Sequence, residues 1–259
     1  MDQYIAIIFA LALGLCVGSF LNVLIYRLPL GRSIVKPGSA CPNCGAGIRW
    51  YDNIPVLSYI LLRGKCRHCQ TRISPRYPLI EIITGLLSLV LFYQYGLSWA
   101  CLFYFIFAAA LIAIIFIDFD HQIIPDVITY PGIVAGFISS LILPNITYRD
   151  SLIGIILGGG ILYLIALGYL MLAKREGMGG GDIKLLAMIG AFLGWQAMPF
   201  TILVSALLGS LVGIIAMLKT GKDTRMAIPF GPFLSIGAIL YLFWGKAVTQ
   251  WYLGLLLPH

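Results

Sequence analysis

The chain has 259 residues, 60% of them hydrophobic and only 10% charged, with a net charge of +7. Soluble domains run at about 45–50% apolar and about 25% charged, so a water-soluble globular protein is excluded. A disordered chain, which needs low hydrophobicity and high charge, is excluded too.

A membrane-crossing helix needs about 20 apolar residues. Uncharged runs occupy Gln3–Tyr26, Ile82–Ile117, Val127–Tyr148, Ser151–Ala173, Leu185–Leu218 and Met226–Gly245. The first is preceded by Asp2 instead of a basic segment, is too long for a signal-peptide core and lacks a small-x-small cleavage site, so it reads as a span. The second would be about 54 Å long as one helix and is expected to break at Gly96-Leu97-Ser98. The fifth is expected to break near Gly194-Trp195-Gln196. Eight helical segments result, and the sixth, from Ile183 to Trp195, is short enough for a half-span. The expected fold is an all-α polytopic membrane protein of about eight transmembrane helices with a small zinc-binding loop domain. Its parts are a first transmembrane helix (1–29), a cytoplasmic four-Cys domain (30–77) and a membrane catalytic domain (78–259).

The basic residues fix the expected orientation. Nine of the 17 lie between Arg27 and Arg76, opposed there only by Asp52. Lys174, Arg175 and Lys184 flank the next such connection, and Lys219, Lys222 and Arg225 fill another. With eight spans the split is 15 to 2, which places the 30–77 loop in the cytoplasm and both termini outside. The charge is thus a topology signal, with some attraction to anionic lipid heads, and no nucleic-acid partner is expected.

Within that loop, Cys41-Pro-Asn-Cys44 and Cys66-Arg-His-Cys69 form two C-x-x-C pairs separated by 21 residues. Such spacing brings four thiolates tetrahedrally around Zn²⁺. The loop is rich in Gly, Pro and Arg and needs a staple to fold, and the cytosol disfavours disulfides. Four Cys ligands make a closed, structural site; redox use of the pairs is the alternative. His68 reads as a bystander, and Cys16 and Cys101 as small apolar residues inside spans.

Ionisable groups at membrane depth are costly and are functional candidates by default. Asp118 follows the third span in Ile117-Asp118-Phe119-Asp120-His121-Gln122-Ile123-Ile124-Pro125-Asp126, and Asp182 closes Gly177-Met178-Gly179-Gly180-Gly181-Asp182. If the two carboxylates meet, they share a proton and titrate as a pair, and can activate a water against a scissile carbonyl. Gly179, Gly180 and Gly181 are expected to stay out of stable helix and admit an extended substrate segment. Spacing alone leaves alternatives: Asp182 as the N-cap of the sixth helix, Asp118, Asp120 and Asp126 as solvated span-end residues, or a cation or proton relay.

Four stretches in series are similar to bacterial type IV prepilin peptidases, membrane aspartic proteases of the G-x-G-D kind. They are Gly18-Ser-Phe-Leu-Asn22-Val-Leu-Ile-Tyr26-Arg27-Leu-Pro29; the paired C-x-x-C loop with Asp52-Asn-Ile-Pro55 and Ile73-Ser-Pro-Arg76-Tyr77-Pro78; Ile117-Asp118 through Pro125-Asp126; and Gly177 through Leu186. The resemblance implies a bifunctional enzyme of the bacterial inner membrane. It would cut the basic leader from type IV prepilins or type II secretion pseudopilins after a Gly at the cytoplasmic face. It would then N-methylate the new N-terminus with S-adenosylmethionine. The family's catalytic aspartates fall on Asp118 and Asp182, with Ile124-Pro125 at the spacing that selects Asp118 over Asp120. For the methyl donor no Gly-rich fingerprint exists. The candidates by position are Asn22, Tyr26, Arg27, Arg76, Tyr77 and Glu81, with an ordinary Glu81–Arg76 ion pair as the alternative.

Two other classes compete. A membrane thiol oxidoreductase would use the two cysteine pairs, but both sit in one loop. A cation-coupled transporter would use the aspartates, with Gly158-Gly159-Gly160 breaking a helix, but no internal repeat is evident. A metalloprotease lacks H-E-x-x-H. Gly154, Gly158, Gly159 and Gly160 would also serve close helix packing, within one chain or in self-association.

Overall fold

The computed structural model describes residues 3–174, 179–220 and 229–256. Gly177, Met178, Arg175, Lys222 and Arg225, on which parts of the motif and charge reading fall, lie outside the described residues. The elements are α1 (Gln3–Arg27), a 3-10 turn (Trp50–Asn53), α2 (Leu57–Leu61), α3 (Arg76–Tyr95), α4 (Trp99–His121), α5 (Asp126–Ile142), α6 (Tyr148–Ala173), α7 (Gly180–Leu193), α8 (Ala197–Thr220) and α9 (Gly231–Leu256). Both expected breaks are present. Gly96, with φ 61°, closes α3 by donating its N–H to Phe92 O, and Ser98 Oγ accepts the Cys101 N–H as α4 begins. Gly194, with φ 78°, ends α7; a left-handed turn of this kind favours glycine.

The eight expected helical segments form, but among the described residues only 5 of them (α1, α3, α4, α6 and α8) are long and apolar enough to cross a membrane, so the expected count of about eight transmembrane helices is not confirmed. α7 has 14 residues, about 21 Å, which is short of about 30 Å of hydrocarbon. α6 runs unbroken through Gly158-Gly159-Gly160. The helix break that the transporter reading required is therefore absent: in an apolar setting the intrahelical hydrogen bonds outweigh the weak helix propensity of glycine.

The chain folds as two compact units, Met1–Ala113 and Ile114–His259. In the first, α1 packs along α3 at backbone contact. A Cβ on Gly14 would lie 2.8 Å from Gly85 Cα, and one on Gly18 would lie 2.7 Å from Glu81 Cα. Ser88 donates its hydroxyl to Ala10 O across the same seam at 2.7 Å. Small residues and a buried hydroxyl are how helices associate where lipid gives no hydrophobic drive.

In the second unit α7 is the hub. Every residue from Leu185 to Phe192 is buried. α5 approaches it at Gly132, over Met188, and at Gly136, over Ala191 and Phe192. α6 approaches from another side, with Gly154 against the Gly190 backbone and Gly158 against Leu186 O. Gly154 and Gly158 thus serve packing within one chain, whereas a Cβ on Gly160 would meet nothing within 4 Å. Ser151 donates to Ala191 O at 2.8 Å. A Thr147–Asp150 capping box starts α6, and Asp150 also accepts from Trp195 Nε1 and Gln196 Nε2, which ties α6 to the turn after α7.

Candidate active site and metal centre

Asp118 lies in the last turn of α4 and only 4% of it is exposed. The helix stops three residues later because Gln122 takes a left-handed φ of 54° while its N–H bonds to Asp118 O. Ile123 and Ile124 then run out to Pro125, whose extended backbone precedes α5. This reversal turns the Ile124 side chain back into the unit.

Asp182 is the third residue of α7 and is 9% exposed. Two sequence expectations change here. Gly180 and Gly181 are helical, not excluded from helix, and Gly179 is the N-cap in place of Asp182. A first turn has no preceding turn to complete, so glycine there costs little, and an unbranched N-cap is well tolerated. Asp182 therefore stands in the first turn, where the aligned N–H groups favour negative charge.

Ile124 joins the two aspartates. A Cβ on Gly181 would lie 2.9 Å from Ile124 Cβ, and a Cβ on Gly231 would lie 2.9 Å from Ile124 Cδ1 and 2.6 Å from Asp118 Oδ2. The Gly231 N–H donates to the Asp118 carboxylate, and Asp118 acts electrostatically on Asp182. The Asp118 carboxylate thus meets the start of α9, and Asp182 lies in the first turn of α7. Two buried carboxylates so arranged can hold one proton and polarise one water.

Around them, Asp126 is ion-paired with Lys184, two residues beyond Asp182, and the Lys184 ammonium stands 5.4 Å from the centre of the Tyr130 ring. Asp120 and His121 are exposed at the end of α4. Gly231 is a site residue that the sequence reading did not name. Phe230-Gly231-Pro232 is legible as a helix start, but nothing in the sequence says that this start meets Asp118.

In the first unit the four cysteines converge. Their Sγ atoms all lie within 4.8 Å of one another, and Cys41 and Cys69 are 3.8 Å apart. A tetrahedral centre with metal–sulfur bonds of about 2.3 Å needs sulfurs about 3.8 Å apart, so this donor set fits zinc. Two matching knuckles build it. In one, Cys41 N–H bonds to Ala46 O, Gly45 N–H to Cys41 O and Ile48 N–H to Ser39 O; in the other, Cys66 N–H bonds to Thr71 O, Gln70 N–H to Cys66 O and Ile73 N–H to Gly64 O. The Thr71 hydroxyl and backbone, with the Asn43 amide, hold the Cys69 thiol down to about 5, and backbone N–H groups of Cys44 and Asn43 lower that of Cys41. Arg67 grips Asp52 with two nitrogens and keeps its carboxyl below the usual carboxylate range.

Of the six candidates for the methyl donor, the structure gathers three at the loop-bearing end of the α1–α3 pair. Asn22 Nδ2 donates to Tyr77 O at 3.1 Å, and the buried Glu81 accepts the Val56 N–H at 2.7 Å. Arg27 is engaged elsewhere, donating to Ser33 O and Gly38 O. Tyr26 is exposed, and Arg76 is half-buried at the start of α3.

Two family models match the chain: the bacterial peptidase A24 N-terminal domain over residues 12–95 and the type IV leader peptidase family over residues 105–214. Proteins named prepilin leader peptidase/N-methyltransferase are 37% identical in Aeromonas hydrophila (over 96% of this chain and 94% of that protein) and 39% identical in Pseudomonas aeruginosa (93% and 91%). One from Burkholderia pseudomallei is 40% identical (95% and 86%). No solved structure matches. The chain is an integral membrane protease of the A24 class. More narrowly, it belongs to the type IV leader peptidase family.

Proposed function

We propose that Asp118 and Asp182 are the acid–base pair with which this enzyme removes leader peptides. Membership of the family makes the chain a prepilin peptidase with N-methyltransferase activity, acting on prepilins at the inner membrane. The observation that supports the site assignment is the run of contacts from Asp118 through Gly231 and Ile124 to Gly181, the residue before Asp182, with both aspartates buried.

One carboxylate takes a proton from water while the other gives its proton to the carbonyl oxygen of the scissile bond. A gem-diol forms, and its collapse releases the new N-terminal amine with no acyl-enzyme. The glycines before Asp182 are unequal in this scheme. Gly181 is packed on Ile124, but a Cβ on Gly180 would meet nothing within 4 Å. The open side over Gly179 and Gly180 suits an extended substrate strand with its scissile Gly beside Asp182. We place this site, the 30–77 loop and the basic leader of a prepilin or pseudopilin at the cytoplasmic face, with both termini outside. The excess of Lys and Arg in the loop supports that orientation.

For the second activity, Zn²⁺ on Cys41, Cys44, Cys66 and Cys69 is structural, because four thiolates leave no position for a substrate. S-adenosylmethionine supplies an electrophilic methyl group when bound. Its ammonium and ribose hydroxyls call for a carboxylate and an amide, which Glu81 and Asn22 offer beside Tyr77. The test is leader removal from a prepilin in liposomes by wild type, Asp118→Asn and Asp182→Asn. Loss in both variants with folding intact supports the pair; cleavage by either variant at the wild-type rate overturns it.

A further inference from the structure

The segment from Trp50 to Leu61 has its polarity inverted for a surface in contact with water. On α2 the buried residue is Ser58, 6% exposed. Its hydroxyl donates to Tyr51 O at 2.8 Å and accepts the Ile54 N–H at 3.0 Å, which clamps α2 onto the preceding 3-10 turn. Leu57, Ile60 and Leu61 stand outward instead, Leu61 at 72% exposed. Their spacing puts them in one stripe along the helix. Trp50, on the 3-10 turn, is 81% exposed. An amphipathic element in water buries its apolar stripe and shows its serine, so this one is built for an apolar neighbour.

The depth of α2 says what that neighbour is. Glu81, buried in the second turn of α3, accepts the N–H of Val56, the residue immediately before α2. Glu81 stands about 7 Å along the axis from the start of α3, and α3 is one of the helices able to cross the membrane. The hydrogen bond therefore holds the first residues of α2 level with the opening turns of a membrane span, beside the boundary between headgroups and acyl chains. Exposed Arg63 and Lys65 follow the apolar stripe directly. The nearest carboxylate in sequence, Asp52, is engaged by Arg67. The segment thus offers lipid an apolar stripe, a tryptophan and a cationic flank, the composition of an interfacial anchor.

We propose that Trp50–Lys65 docks into the interface of an anionic phospholipid bilayer. Leu57, Ile60 and Leu61 enter the edge of the acyl region, Trp50 sits among the headgroups, and Arg63 and Lys65 meet lipid phosphates. The 30–77 loop is then a membrane-lying domain held at a fixed height above α1 and α3, not one tethered in solution. This inference does not depend on which residues perform catalysis.

The test uses the full-length protein in nanodiscs of phosphatidylcholine with and without phosphatidylglycerol, with a purified prepilin present or absent. A photo-reactive benzophenone side chain is placed at position 61 and, as a control, at the exposed position 68 between two cysteines. Mass spectrometry then identifies the adducts. Position 61 should label lipid at least fivefold more than position 68, and phosphatidylglycerol should raise its yield at least twofold. As a second reading that needs no change on α2, the fluorescence lost in Trp50→Phe should be quenched by brominated acyl chains more than by aqueous iodide. Adducts at position 61 that fall on prepilin or on the chain itself overturn the proposal. Equal yields at 61 and 68, or iodide outquenching the bromolipid at Trp50, do so as well. Yields that ignore phosphatidylglycerol overturn the pairing with anionic headgroups.

Discussion

Asp118 and Asp182 are separated by 64 positions in sequence, and a single isoleucine side chain packs against both Gly181, which precedes Asp182, and Gly231, which meets Asp118. Ile124 fills the space that side chains on Gly181 and Gly231 would claim, so the distance between the carboxylates depends on residues that carry no charge. Asp118→Asn and Asp182→Asn should each lower leader cleavage by about 10³-fold, within the span of positioned acid–base catalysis. Retained thermal unfolding would show that the loss is chemical; a rate near wild type for either would remove the pair from the mechanism. Gly231→Ala is the sharper probe. Its new methyl group would stand 2.6 Å from Asp118 Oδ2 and 2.9 Å from Ile124 Cδ1, so it would push the buried carboxylate out of its present position. Cleavage should fall at least tenfold with little change in KM, because the displaced group acts on the bond and does not hold the substrate. A proportional rise in KM with kcat intact would mean that Gly231 shapes the substrate groove instead.

At the level of elements, α7 is short, almost wholly buried and approached at backbone contact by two helices. The helix is held by what its neighbours lack, since α5 and α6 present glycines to it. Gly158→Leu would drive a side chain into Leu186 O, which a Cβ alone already meets at 2.5 Å. Overpacking typically costs about 1–3 kcal/mol, and a contact with backbone belongs at the upper end. Unfolding in detergent should therefore occur at a clearly lower temperature. Gly160→Leu, with nothing within 4 Å, should leave it near wild type; similar losses in both would contradict this account of α6. The Lys184–Asp126 pair bridges α7 and α5 in partly exposed surroundings, where such pairs contribute about 0.2–1 kcal/mol. Its place two residues after Asp182 gives it more to do for alignment than for stability.

Across the whole molecule, the residues proposed for the two activities fall in different units. The aspartates lie in the unit beginning at Ile114, while the cysteines and the candidates for the methyl donor lie in the unit ending at Ala113. Asp118→Asn should therefore still methylate a pilin supplied without its leader. Conversely, Cys41→Ser with Cys66→Ser, or removal of the metal by a chelator, should abolish methylation and release about one zinc per chain, as read by elemental analysis. The knuckles that carry the thiolates have little apolar core, so with the proposed zinc removed they should lose their fold. A chain stripped of zinc that methylates at the normal rate would separate the centre from that activity.

Much of this protein is written locally, and those parts were legible in the sequence. Runs of apolar residues set the helices, since a backbone in lipid must satisfy its own hydrogen bonds. Gly96 and Gly194 ended helices where expected because left-handed turns favour glycine, and the two C-x-x-C pairs announced a four-sulfur centre because ligand spacing is itself local. The exceptions were also local in origin. The glycines at 179–181 read as helix breakers, yet they begin α7, since position within a helix decides what a glycine costs. What the tertiary structure decided is everything that depends on two segments meeting: Gly231 against Asp118, Ile124 between two glycines, Glu81 holding Val56, and α2 turned with its leucines outward. No pattern along one strand of sequence encodes such contacts, because their energy arises only when distant backbones approach closely enough to exclude a side chain.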